Sequence, residues 1–127
     1  MPFTPFGPTL GVAQVASLGV AGFALQNGTP TILTWTAPND GNTHTVQVAG
    51  EVRVSVAETG GQLTLSFTDP SNQAASSTVD NGGHGVGFNP LSNYRIFQVA
   101  PGTTVTLAQS TALTAGAATL YAALWAQ

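Results

Sequence analysis

The 127-residue chain carries two Lys or Arg, five Asp or Glu and two His, so only 6% of it is charged and the formal net charge is −3, against about 25% charged in a typical soluble domain. Two basic side chains cannot neutralise a row of phosphates, which excludes nucleic acid and anionic membrane surfaces as partners. The absence of cysteine excludes a disulfide framework, a thiolate metal site and a Cys nucleophile.

Residues 1–9 read as an extended arm with prolines at Pro2, Pro5 and Pro8, and Phe3 and Phe6 are its only large apolar side chains. Residues 10–127 are expected to form one domain, a size that suits a single core. Met1 to Phe6 lacks a basic region, so no secretory signal is expected. The apolar stretch Leu10–Leu25 is too short to span a bilayer and carries Gln14 and Ser17. As a helix, Leu10–Gln26 would gather Val12, Val15, Leu18 and Phe23 on one side. However, Gly11, Gly19 and Gly22 would each cost about 1 kcal/mol against Ala, and extended structure is the expectation.

From residue 29 onward the pattern is β. Thr31–Thr36 (TILTWT) is a strand of branched and aromatic residues, stopped by Pro38-Asn39-Asp40-Gly41. Val46, Val48, Val52, Val54 and Val56 then share one face, opposite Thr45, Gln47, Glu51, Arg53 and Ser55. Glu51 and Arg53 are expected to pair on the solvent side. Gly50 interrupts the apolar row and marks a bend or bulge, so one strand could be two. Glu58-Thr59-Gly60-Gly61 reads as a hairpin turn into a strand with Leu63, Leu65 and Phe67 in its apolar row, ended by Asp69-Pro70-Ser71-Asn72. A short strand Ser76–Val79 precedes a long polar loop, Asn81–Pro90. Strands Tyr94–Ala100, Thr103–Ala108 and Ala118–Trp125 complete the chain, the first two joined by a turn at Pro101-Gly102. Eight to ten short strands without a convincing helix predict an all-β antiparallel sandwich, a jelly roll.

The last strand is apolar on both faces: Leu120, Ala122 and Leu124 on one, Tyr121, Ala123 and Trp125 on the other. A sandwich core covers one face only. The second cover is either the segment Leu10–Leu25 or a neighbouring subunit. With so little charge elsewhere, the oligomer is the expectation, with Leu120, Tyr121, Ala123 and Trp125 at its interface.

The run from Tyr94 to Leu107, the pair Ala115-Gly116 and the closing Leu120-Tyr121-Ala122-Ala123-Leu124 resemble the end of the tumour necrosis factor and complement globular-head jelly roll. Thr43 to Val54 is similar to the strand entering the middle of that fold. Gly28-Thr29-Pro30-Thr31 and Thr36-Ala37-Pro38-Asn39-Asp40-Gly41 look more like small structural proteins of tailed bacteriophages with this fold. The resemblance covers roughly residues 22–127. It implies a homotrimer whose inner sheets face a three-fold axis, used in phages as a capsid decoration protein or as the head of a fibre. No heptads or Gly-X-Y repeats supply a stalk. The expectation is therefore a non-enzymatic virion protein bound to the major capsid protein on the outer surface of the shell, with Phe3 and Phe6 ordering on contact. The alternative is a receptor- or glycan-binding head that uses the loop Asn81–Pro90 and its Phe88.

Residues for chemistry are few. His44 lies near Asp40, but no Gly-x-Ser-x-Gly elbow accompanies them. His84 sits in a Gly-rich loop that lacks the spacing of a dinucleotide-binding turn, and reads as an exposed loop histidine or a metal ligand. Asp69, Asn72, Asp80 and Asn81 could meet around Ca²⁺, although Asp and Asn in turns usually serve turn geometry. No catalytic residue, metal site or cofactor is assigned from the sequence.

Overall fold

In a computed structural model, residues 12–93 and 95–127 are described, and they form ten strands with no helix. Phe3 and Phe6, the arm that carries them, and Tyr94 lie outside the described residues. The strands are β1 (Ala13–Ser17), β2 (Phe23–Ala24), β3 (Thr31–Thr36), β4 (His44–Gly60), β5 (Leu63–Thr68), β6 (Ala74–Asp80), β7 (Gly87–Pro90), β8 (Ile96–Val99), β9 (Thr104–Gln109) and β10 (Leu113–Ala126).

They pack as two antiparallel sheets. One runs β1-β10-β4-β7, with β2 also on β10 and β8 also on β4; the other runs β3-β9-β5-β6. Strands β1 and β2 follow one another along the free edge of β10, and β7 and β8 do the same along β4. Counting each pair as one interrupted strand leaves two four-stranded sheets joined as a jelly roll. The expected β-sandwich is the observed fold.

Alternation places the core. Val46, Val48, Val52 and Val54 of β4, Leu120, Ala122 and Leu124 of β10, Leu63 and Leu65 of β5, and Val105 and Leu107 of β9 all face inward and are buried. Phe67 and Phe97 meet across the two sheets, ring centroids 5.2 Å apart. Leu10–Gln26 is extended over its described part. Strands β1 and β2 pair edge-on with β10 and do not lie over its outer face, which the segment touches at Gly22, whose Cβ position is 2.8 Å from Tyr121 Cε1.

Three sequence expectations need correction. Glu58-Thr59-Gly60-Gly61 is not a hairpin: β4 and β5 belong to different sheets, and Gly60 and Gly61, with φ of 80° and 75°, carry the chain across. Among the described strands, only β5 and β6 are consecutive in sequence and joined as a tight hairpin, through the turn at Asp69–Asn72. Val56 does not share the core with the other valines. The β4–β10 register slips between Ala117 and Ala118, which leaves Val56 58% exposed. Finally, β4 is one continuous strand through Gly50, not two.

Candidate functional site

Two features stand out against this fold: the outer face of the β1-β10-β4-β7 sheet, and a knot of ionisable side chains at one end of the sandwich.

Directly opposed residues in antiparallel strands point to the same side. The register therefore sets Tyr121 beside Glu51, Trp125 beside Gln47, Ala123 beside Ala49, Phe88 beside Arg53 and Ile96 beside Gln47 on the outer face. Tyr121, Ala123 and Trp125 are half-buried, while Phe88 and Ile96 are 74% and 63% exposed. The Arg53 guanidinium lies between two rings, 4.8 Å from the Phe88 centroid and 4.3 Å from that of Tyr121, and donates to Glu51 Oε1 at 3.2 Å. The expected Glu51–Arg53 pair is thus present, and its charges cancel within an aromatic setting. Leu120 belongs to neither the face nor its rim. It points into the sandwich with no exposed surface, so it supports the sheet from within.

The ionisable knot forms where β4 and β6 end. Asp80 closes β6, and Gly82 and Gly83, with φ of 74° and 69°, curl the loop back on itself. This brings His84 Nε2 to 2.7 Å from Asp80 Oδ2. The loop is held against β4 by three hydrogen bonds. Glu58 N–H donates to the His84 carbonyl at 2.9 Å, Gly83 N–H to the Gly60 carbonyl at 2.9 Å, and His84 N–H to Glu58 Oε1 at 3.2 Å. Asp80 also accepts from Ser92 N–H through Oδ1 and from Gly82 N–H through Oδ2. Neither carboxylate side chain has exposed surface. Burial pushes the Glu58 carboxyl above the usual carboxylate range, against the hydrogen bond from His84 N–H that favours its charged form.

Asp69 and Asn72 take no part in this group. Asp69 Oδ1 accepts from Ser71 and Gln73 N–H and so shapes the turn. Register places that turn at the far end of the β5–β6 hairpin from Asp80, roughly 17 Å along the strands. Asp80 and His84 are four residues apart in the sequence, a visible signal. Glu58 comes from another strand, and only the fold joins it to them.

His44 occupies a separate corner. Its Nδ1 is 2.9 Å from the Gln127 main-chain oxygen, its Nε2 is 3.0 Å from Asp40 Oδ1, and its ring lies edge-on to Trp35. Both nitrogens face acceptors, a pattern the doubly protonated ring satisfies by donating twice. The hydrogen bond to Asp40 raises the His44 pKa, opposed by burial, while the Asn42 N–H bond and then His44 lower that of Asp40. A raised folded-state pKa gives stability that is complete below the unfolded value of about 6.5 and lost as pH rises through the folded value. His44→Ala is therefore expected to lower the Tm by more at pH 5.5 than at pH 9. A deficit independent of pH would contradict the ion pair. No serine hydroxyl accompanies His44 and Asp40 in the hydrogen bonds of the described residues, so no triad is formed there.

No family model and no curated protein matches the sequence. Three solved structures are similar over 99% of this chain: the Gx strain of infectious bursal disease virus (TM-score 0.56, 14% identity), the Gt strain (0.49, 15%) and the VP2 subviral particle of that virus (0.44, 12%). This chain spans 37%, 37% and 36% of those chains. At 14% identity, the first comparison establishes a shared fold.

Proposed function

We propose that this chain is a non-enzymatic structural protein of a virion. In this reading it is a capsid decoration protein that assembles as a homotrimer through the outer face of the β10–β4 sheet and sits on the major capsid protein, outside a bacteriophage shell. The observation that carries the reading is that face itself. Tyr121, Ala123 and Trp125 of β10 share it with Phe88 and Ile96 beyond β4, and the charges among them, Glu51 and Arg53, are already paired. A sheet face of that character is an association surface, since its burial gains about 25 cal/mol per Å² of apolar area and strands no unpaired ion. The likeness of fold to a chain of a virus structure supports a place in the virion. The exposed Val86 and Phe88, at 70% and 74%, favour a second reading, a glycan- or receptor-binding head that uses Asn81–Pro90, of which only the first six residues are loop and Gly87–Pro90 is β7.

Light scattering on the purified chain tests the assembly. Ala123→Arg places a cation in the middle of the face without touching the core, because Ala123 points away from it. The expected result is a trimer for the wild type and a monomer of nearly unchanged Tm for the variant. A wild-type monomer removes the trimer, and binding to a glycan array but not to capsids favours the second reading.

A further inference from the structure

We propose that Glu58, Asp80 and His84 form a binding site for a divalent first-row transition cation, with Zn²⁺ the favoured occupant. One donor atom from each residue lies within 4.8 Å of the others, and His84 Nε2 is 2.7 Å from Asp80 Oδ2 and 3.8 Å from Glu58 Oε1. A second observation points to a ligand. Glu58 Oε2 is buried without any hydrogen-bond partner, on a side chain with no exposed surface. An orphaned buried oxygen of this kind is costly, and a bound ion is one of the few things that explains it.

The surroundings are those of a built site. Asp80 is aimed by Ser92 and Gly82 N–H, Glu58 by His84 N–H, and the loop that carries His84 is tied to the end of β4 by the Glu58 N–H and Gly83 N–H bonds. Hydrogen bonds that orient ligands before the ion arrives raise affinity, because less order is lost on binding. The imidazole is 16% exposed while both carboxylates have no exposed surface, so the ion enters past His84 and keeps its remaining position for water from that side.

The donor set selects the ion. One imidazole and two carboxylates suit Zn²⁺ and its neighbours. Three side-chain donors, one of them nitrogen, fall well short of the six to eight oxygens that Ca²⁺ takes. Tetrahedral Zn²⁺ holds its ligand atoms about 3.3 Å apart. The His84–Asp80 contact therefore opens by about half an ångström as the ion replaces the shared proton, and the Glu58 carboxyl turns its unpartnered Oε2 to the ion while Oε1 keeps the bond from His84 N–H.

The test uses the full chain, stripped with chelator and dialysed. Titration calorimetry is expected to give one Zn²⁺ per chain, and Zn²⁺ is expected to raise the Tm where Ca²⁺ at the same concentration does not. Glu58→Gln should weaken Zn²⁺ binding by at least about 10-fold. The sequence has two histidines, so nitrogen-detected NMR of the wild type gives a readout that does not depend on a variant folding. The His84 ring signals should move on Zn²⁺ addition while those of His44 stay in place. Unchanged affinity in Glu58→Gln, or a response at His44 and not at His84, overturns the site.

Discussion

Leu120→Ala is expected to lower the unfolding free energy by about 3–4 kcal/mol and to leave the oligomeric state unchanged. Leu120 has no exposed surface, and on the inner face it is flanked by Val52 of β4 and Phe23 of β2. Removing its isopropyl end leaves a cavity between two sheets whose backbones are pinned by their own ladders, so collapse is limited and the cost falls in the upper part of the Leu→Ala range. For a domain of this size, with a total of about 5–15 kcal/mol, that is a large fraction. Its neighbour Tyr121 points the opposite way, onto the outer face. Urea unfolding at fixed protein concentration measures the first effect and light scattering the second. A Leu120→Ala protein of wild-type stability that dissociates would place Leu120 at an interface instead of in the core.

Leu120 also shows where the sequence is informative. Thr31–Thr36 is read with its observed bounds, and Val46, Val48, Val52 and Val54 on their observed inward face, because one side of each strand is core and the other is not, a contrast that writes itself into a period of two. Strand β10 lacks that contrast, so its two faces cannot be ranked from the residues alone. The structure ranks them by pairing, with Leu120, Ala122 and Leu124 inward and Tyr121, Ala123 and Trp125 outward. Turns fare worse for a different reason. Gly60-Gly61 supplies left-handed backbone equally well to a hairpin and to a passage between sheets. The choice is made by a distant strand: Gly61 N–H donates to the carbonyl of Ala112, the residue that leads into β10, whose Leu113 is paired with Gly60. The slip that exposes Val56 is likewise a property of the β4–β10 pair and not of β4.

The charge arithmetic changes in the same way. Seven charged residues already leave the surface sparse, and the structure withdraws more of them. Glu58 and Asp80 are buried with His84, Glu51 and Arg53 are paired, and Asp69 accepts hydrogen bonds within its own turn. The outer sheet face is left with almost no net field, which suits contact with an equally neutral copy of itself better than steering toward a charged ligand.

Gly50→Ala is the substitution expected to damage the sheet most directly, at a cost of about 3 kcal/mol. Gly50 is paired with Ala122 across the β4–β10 ladder, and a Cβ built on it falls 2.1 Å from the Tyr121 carbonyl oxygen and 2.7 Å from Ala122 Cα. Those atoms are backbone and cannot swing aside, so either β4 or β10 must move. Gly50 is also where β4 changes neighbours, from β8 over His44–Gln47 to β7 over Glu51–Val54, and its carbonyl accepts from Leu91 N–H at 3.3 Å. Displacing the strand there strains both edges and shifts the Tyr121 ring away from Arg53 on the outer face. The Tm should fall by about 10 °C. Gly28→Ala is the control: nothing lies within 4 Å of its Cβ position, and the change should stay within about 0.5 kcal/mol. Equal stability of the two variants would mean that β4 and β10 do not approach this closely at Gly50, and that the bend marked by this glycine in the sequence serves the chain's own path and not the strand beside it.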